Sequence, residues 1–166
     1  MESVELIVVV YKEADQAGQV LKSLKKLVKD GSLHLFDAAV LIKDQRGKIR
    51  LEETRDVSAG RGSLFGAVVG GLVGFLGGPA GILVGAATGA TMGGAIAKKV
   101  DLGFSHEFLD QLGKSLKPGC SALLMLIEEP WTEQAVKVLE QQPGTLFRHA
   151  LKSEILVQIE RSQQDP

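Results

Sequence analysis

The residues of this 166-residue chain that could carry acid–base, nucleophilic or metal chemistry are three histidines, one cysteine and two pairs of adjacent glutamates. Their spacing argues against each. His34, His106 and His149 are scattered, with no partner at ligand spacing, so no metal site is expected. Glu52-Glu53 and Glu128-Glu129 fall on or beside expected strands, where neighbouring side chains point apart, so neither forms a carboxylate dyad. Gly60-Arg61-Gly62-Ser63 suggests a phosphate loop but lacks the Gly-Lys-Ser/Thr ending. Cys120 has no second cysteine to pair with and fits a reducing cytoplasm. The expectation is a protein that is not an enzyme, with no catalytic residue, cofactor or metal. A small-molecule ligand under the sheet stays open.

Charge narrows the partners. The formal net charge is -1, which removes the electrostatic case for nucleic acid. The start, Met1-Glu2-Ser3-Val4-Glu5, is acidic where an export signal would be basic, so contact with a membrane is expected from the inside.

Glycine is the unusual component. Of 20 glycines, twelve fall between Gly62 and Gly94, in a stretch with no charged residue. Gly62, Gly66, Gly70, Gly74 and Gly78 recur every four residues, and after Gly77-Gly78-Pro79 so do Gly81, Gly85, Gly89 and Gly93. Four-residue spacing lines one face of a helix. A glycine inside a helix costs about 1 kcal/mol against alanine, so a series implies close packing that offsets it. The expectation is a hydrophobic hairpin over residues 56–98, inserted into a discontinuous domain of residues 1–55 and 99–166. Its helix-packing and oligomerisation residues are Gly66, Gly70, Gly74, Gly78, Gly81, Gly85, Gly89 and Gly93. The first arm carries Val68, Val69, Leu72 and Val73 opposite its glycines, to face lipid or another apolar surface. The second arm is small almost all round and is expected to cluster with its copies at an oligomer's centre. Arg55, Arg61, Lys98 and Lys99 flank the hairpin on one side, as the positive-inside rule asks of a membrane hairpin.

The rest reads as ordinary α+β protein. Residues 4–11 and 120–127 are strands apolar on both faces, and 36–43 and 48–53 are strands joined by the polar turn Asp44-Gln45-Arg46-Gly47. Ala17, Val20, Leu21 and Leu24 give one amphipathic helix, and Phe108, Leu109, Leu112 and Leu116 a second. Thr132 is expected to cap a third, and residues 145–151 to form a last short strand. Without the glycine-rich stretch the order is that of a ferredoxin-like split βαβ sandwich, in which residues 4–11 and 120–127 pair. Helices would cover one sheet face, leaving the other to a second sheet from another subunit.

Together these features predict a membrane-associated homo-oligomer of structural or regulatory character. It would sit at a bacterial inner membrane with its globular part on the cytoplasmic side. The alternatives are a pore-forming oligomer, with Thr88 and Thr91 as its polar candidates, or a cytoplasmic soluble oligomer that binds a small molecule.

The pieces FDAAVLIKDQRGKI, the double glycine series from Gly66 to Gly93, and KPGCSALLMLIEE resemble a bacterial family known as domain of unknown function 1269, often called a membrane protein of unknown function. The likeness covers most of the chain in the same order. It implies the architecture and brings no catalytic residue. Cys120 departs from it, standing where serine is expected after the Pro-Gly pair.

Overall fold

The computed structural model describes residues 3–35, 37–53, 62–77, 82–84, 103–151 and Val157. Among the described residues six strands form one sheet: β1 (Val4–Tyr11), β2 (Asp37–Lys43), β3 (Ile49–Glu53), β4 (Ile82–Val84), β5 (Ser121–Glu128) and β6 (Thr145–Leu151). The helices among the described residues are α1 (Gln16–Lys29), α2 (Gly62–Gly77), α3 (His106–Ser115) and α4 (Thr132–Leu139). Spatial order is β4-β3-β2-β5-β1-β6, antiparallel throughout except for the parallel β3–β4 pair. The fold is α+β, as expected, and β1 and β5 do pair, from Val4 opposite Glu128 to Tyr11 opposite Ser121.

The ferredoxin-like expectation made residues 48–53 the third strand of the split βαβ unit, lying between β1 and β2. β5 takes that place instead, and β3 lies outside β2, beside β4. Side-chain pattern gives the reason. In β3 Ile49 and Leu51 are buried, while Arg50 and Glu52 are paired with each other at 3.5 Å on a solvated face. In β5 every residue from Ser121 to Ile127 is buried. A strand with one wet face belongs toward an edge, and a strand apolar on both faces belongs at the centre.

A central strand apolar on both faces needs a cover on each. On one face Leu123, Met125 and Ile127 of β5 meet Ile7, Val9 and Tyr11 of β1, beneath Leu21 and Leu24 of α1 and Ala135 and Leu139 of α4. On the other, Ala122, Leu124 and Leu126 meet Leu6, Val8 and Leu41, beneath Val69 and Leu72 of α2 and Leu109 and Leu112 of α3. The second face is therefore covered by helices of the same chain, and the expected second sheet from another subunit is not needed there.

Local signals set the element ends. Gly31 closes α1 at φ 84°, a left-handed conformation that glycine adopts without a Cβ clash. Asp44 Oδ1 accepts from the amides of Arg46 and Lys48, both at 2.9 Å, fixing the β2–β3 turn. Ser105 caps α3 by accepting from the Phe108 amide at 3.0 Å. Thr132 does not cap: it is the first residue of α4, behind Trp131, and its hydroxyl is buried without a partner.

The first half of the glycine-rich stretch forms α2, a helix as expected. Its larger apolar stripe lies against the sheet. Val68, Val69, Leu72 and Val73 are all buried in the same core as β1, β2 and β5. The stripe expected to face lipid or another apolar surface faces the chain's own sheet. Beyond residue 81 the expected second helix begins differently: Ile82–Val84 is a strand, with Ile49 opposite Ile82 and Leu51 opposite Val84. The rest of that arm lies outside the described residues.

The placement of α2 sets the sign of two substitutions. A lipid-facing Val69 would accept leucine without cost; a core Val69 makes Val69→Leu an overpacking change of about 1–3 kcal/mol. Leu72→Ala opens a cavity under the same helix and is expected to lower the unfolding free energy by about 2–5 kcal/mol. Urea titration followed at Trp131 measures both. Losses below about 0.5 kcal/mol in both variants, the range of surface changes, would detach α2 from the core.

Candidate functional site

α2 carries two different faces, and the outward one is the candidate site. At about 100° per residue, the buried positions 68, 69, 72 and 73 share one side, and Gly66, Gly70 and Gly74 fall on a ridge turned away from its centre. Gly70 and Gly71 are half-buried, and Gly74 is exposed with nothing within 4 Å of where a Cβ would stand. Phe75 beside it is 55% exposed. No residue of α2 is charged, and its one hydroxyl, Ser63, is at the N-terminal end. Leu76 closes the helix against α3, at 3.6 Å from the Cβ position of Gly113. There an open groove of about 680 Å³ runs between the helices, lined by Phe75, Leu76, His106, Glu107, Asp110 and Lys114 among others. Lys114 is paired with Asp110 at 2.9 Å, so the polar rim of the groove is partly neutralised. This surface can pack against an apolar partner.

Three of the expected packing glycines, Gly66, Gly70 and Gly74, are thus on one helix. Gly78, Gly81, Gly85, Gly89 and Gly93 lie outside the described residues, as do the expected flanking cations Arg55, Arg61, Lys98 and Lys99. Among the described residues no helix is long and apolar enough to cross a membrane. At 1.5 Å per residue the 16 residues of α2 span about 24 Å, short of the roughly 30 Å hydrocarbon core.

The histidines are dispersed, and no group of three metal-ligating side chains occurs among the described residues. His34 lies 4.5 Å from the Trp131 ring, while His149 stacks near Phe104 at 4.7 Å and Phe108 at 5.4 Å on the other sheet face. Cys120 is half-buried just before β5, its carbonyl accepting from Lys43 N–H at 3.0 Å.

Two polar arrangements were not read from the sequence. Arg148 of β6 donates from Nε to Glu5 Oε1 at 2.5 Å and from Nη2 to Glu5 Oε2 and Glu133 Oε1, both at 3.0 Å. The Glu5 carboxylate, with Glu133 behind it, raises the guanidinium pKa and holds it charged. The strand pattern placed Glu5 and Arg148 on strands, but only the β1–β6 register brings them together. The second arrangement joins α1 to the sheet. Ser121, fully buried, donates its hydroxyl to the Glu13 carbonyl at 2.6 Å and accepts the Ala17 amide at 3.1 Å. A lone serine opening an apolar strand was the available signal.

Next to Ser121, across the β1–β5 pair, stands Tyr11, the sole tyrosine. It is fully buried, its hydroxyl has no partner, and burial pushes its pKa from 10.0 up to about 12. In the unfolded chain the phenol ionises near 10 and in the folded chain near 12. Stability from this group is therefore complete below pH 10 and declines as pH rises from 10 to 12. Absorbance at 295 nm should show a single phenolate transition near pH 12. Tyr11→Phe should flatten the stability decline in that window. A transition near the ordinary value of 10 would show that the hydroxyl meets water.

A family model described as "Protein of unknown function (DUF1269)" matches residues 63–162, which include α2, α3, β5, α4 and β6. No curated protein and no solved structure matches the chain.

Proposed function

This chain belongs to that family of proteins of unknown function, and from that premise we propose that it is a non-enzymatic homo-oligomeric protein of structural or regulatory character, associated with the cytoplasmic face of a bacterial inner membrane. It assembles through the outward glycine ridge of α2 and the glycine series that follows. The observation that carries this reading is the outer side of α2. A surface helix of a monomeric soluble protein turns polar residues to water. α2 buries its larger apolar stripe on the sheet and still turns no polar residue outward along Gly70, Gly71, Gly74 and Phe75. Glycines at that spacing let a second helix approach closely, and that packing offsets their cost in helix stability.

The core position of Val69 and Leu72 supports side-on contact with a bilayer over a spanning one. Pulling α2 into a spanning orientation would uncover Leu6, Leu124 and Leu126 on the sheet. Membrane contact through α2 is therefore side-on, with Phe75 and the glycine ridge against the partner or lipid and the sheet behind.

Gly74→Leu separates assembly from folding. A Cβ added at Gly74 meets nothing within 4 Å, so the side chain starts into open space. The helix gains up to about 1 kcal/mol in propensity, so thermal stability should hold or rise. The leucine holds neighbouring helices apart, so the mass in mild detergent by analytical ultracentrifugation should fall. An unchanged mass would remove the assembly role of this face. A wild-type chain left in the supernatant when cell membranes are sedimented would remove the membrane part.

A further inference from the structure

The two edges of the sheet differ. Edge strands expose unpaired backbone N–H and C=O groups, and proteins guard them by shortness, proline, bulges or free charge. The β4 edge is short, three residues. The β6 edge is seven residues long, and its register with β1 runs unbroken from Val4 opposite Leu151 to Val10 opposite Thr145. It has no proline and no bulge, and Arg148, its one Lys/Arg/Asp/Glu residue, is turned onto Glu5 and Glu133 of its own chain. On its outer side β6 pairs with no strand among the described residues.

We infer that β6 is a pairing edge for a second copy of this chain, joined antiparallel about a two-fold axis through Arg148, so that one sheet runs continuously across a dimer. Arg148 is the middle residue of Thr145–Leu151, so this register overlaps the whole strand. It sets Leu146 of one copy opposite Ala150 of the other, and Phe147 opposite His149. Those rings are half-buried at the sheet rim, in a cluster where Phe104 and Phe108 stack at 5.6 Å and Phe108 meets Phe147 edge-on at 6.3 Å. Pairing the edges joins the two clusters and covers their exposed sides. Charge decides against a simple like-charge clash at the axis. Each Arg148 already lies between two carboxylates, Glu5 and Glu133, so the two guanidiniums would meet within a set of carboxylates that outnumbers them. This contact uses no residue of α2 and stands apart from the assembly face proposed above.

The test uses the full chain carrying Thr145→Lys and Ala150→Lys together. Both positions are exposed, and each lysine would face an apolar residue of the other copy. The double change should halve the mass measured by ultracentrifugation, both in the otherwise native chain and in Gly74→Leu, whatever Gly74→Leu does by itself. Hydrogen exchange supplies the second readout. The β6 amides that point away from β1 should exchange about tenfold faster or more in the double-lysine chain, while those of β5 stay protected and report an intact fold. Three results would each overturn the inference: an unchanged mass with β5 still protected, a wild-type chain whose outward β6 amides are already unprotected, or a monomeric wild-type chain whose outward amides are protected by its own residues. If the double-lysine chain loses protection in β5, Ala150→Lys alone decides by the same two readouts.

Discussion

The pairing of β1 with β5 is the constraint on which the rest of the molecule depends. The two strands run antiparallel over eight residues each, and both are apolar toward both faces of the sheet. Such a pair is stable only where both faces are dry. One cover comes from α1 and α4, at the usual place for helices that join split parallel strands. The other must come from elsewhere in the chain, and α2 and α3 provide it. The glycine-rich stretch is then not simply an appendage. Its first helix supplies Val68, Val69, Leu72 and Val73 to the core while Gly74 and Phe75 stay exposed.

Much of this was legible in the residues, and what was not has identifiable causes. The strand at residues 4–11, the amphipathic helix after it and the Asp44–Gly47 turn follow from period, propensity and turn chemistry, which are local. The pairing of β1 with β5 was expected from the ferredoxin-like order of elements. The order of the outer strands was not local. The ferredoxin-like reading placed β3 centrally on connectivity alone, although Arg50 and Glu52 already marked it as half-wet. The candidate surface was legible as a glycine period at Gly66, Gly70 and Gly74. Which side of α2 the sheet would claim was not, because Val and Leu suit lipid and protein core equally well. Arg148 bridging Glu5 and Glu133 depends on β6 lying beside β1, a long-range register that no short window contains.

Polar groups inside this sheet are few and unequal. Ser121 is satisfied at both its donor and its acceptor and ties the start of α1 to the centre of the sheet. Tyr11, directly opposite it on β1, buries a hydroxyl with no partner. The contrast marks where the sheet is fastened and where it merely tolerates a polar atom, since a buried unpaired hydroxyl costs stability that a phenyl ring would not.

The central position of β5 also sets a schedule for synthesis. β1 and β2 are not neighbours; each waits for β5 to pair with it. About 80 residues separate the end of β2 from the start of β5, and the whole uncharged glycine-rich stretch lies between them. At roughly 5–20 residues per second a ribosome needs about 4–16 seconds to make that span. Throughout it the most apolar strand of the N-terminal half is outside the tunnel or nearing its exit with its final neighbour unmade. The nascent chain therefore passes through an interval in which β1, β2 and then α2 are exposed to chaperones before the sheet can close over them.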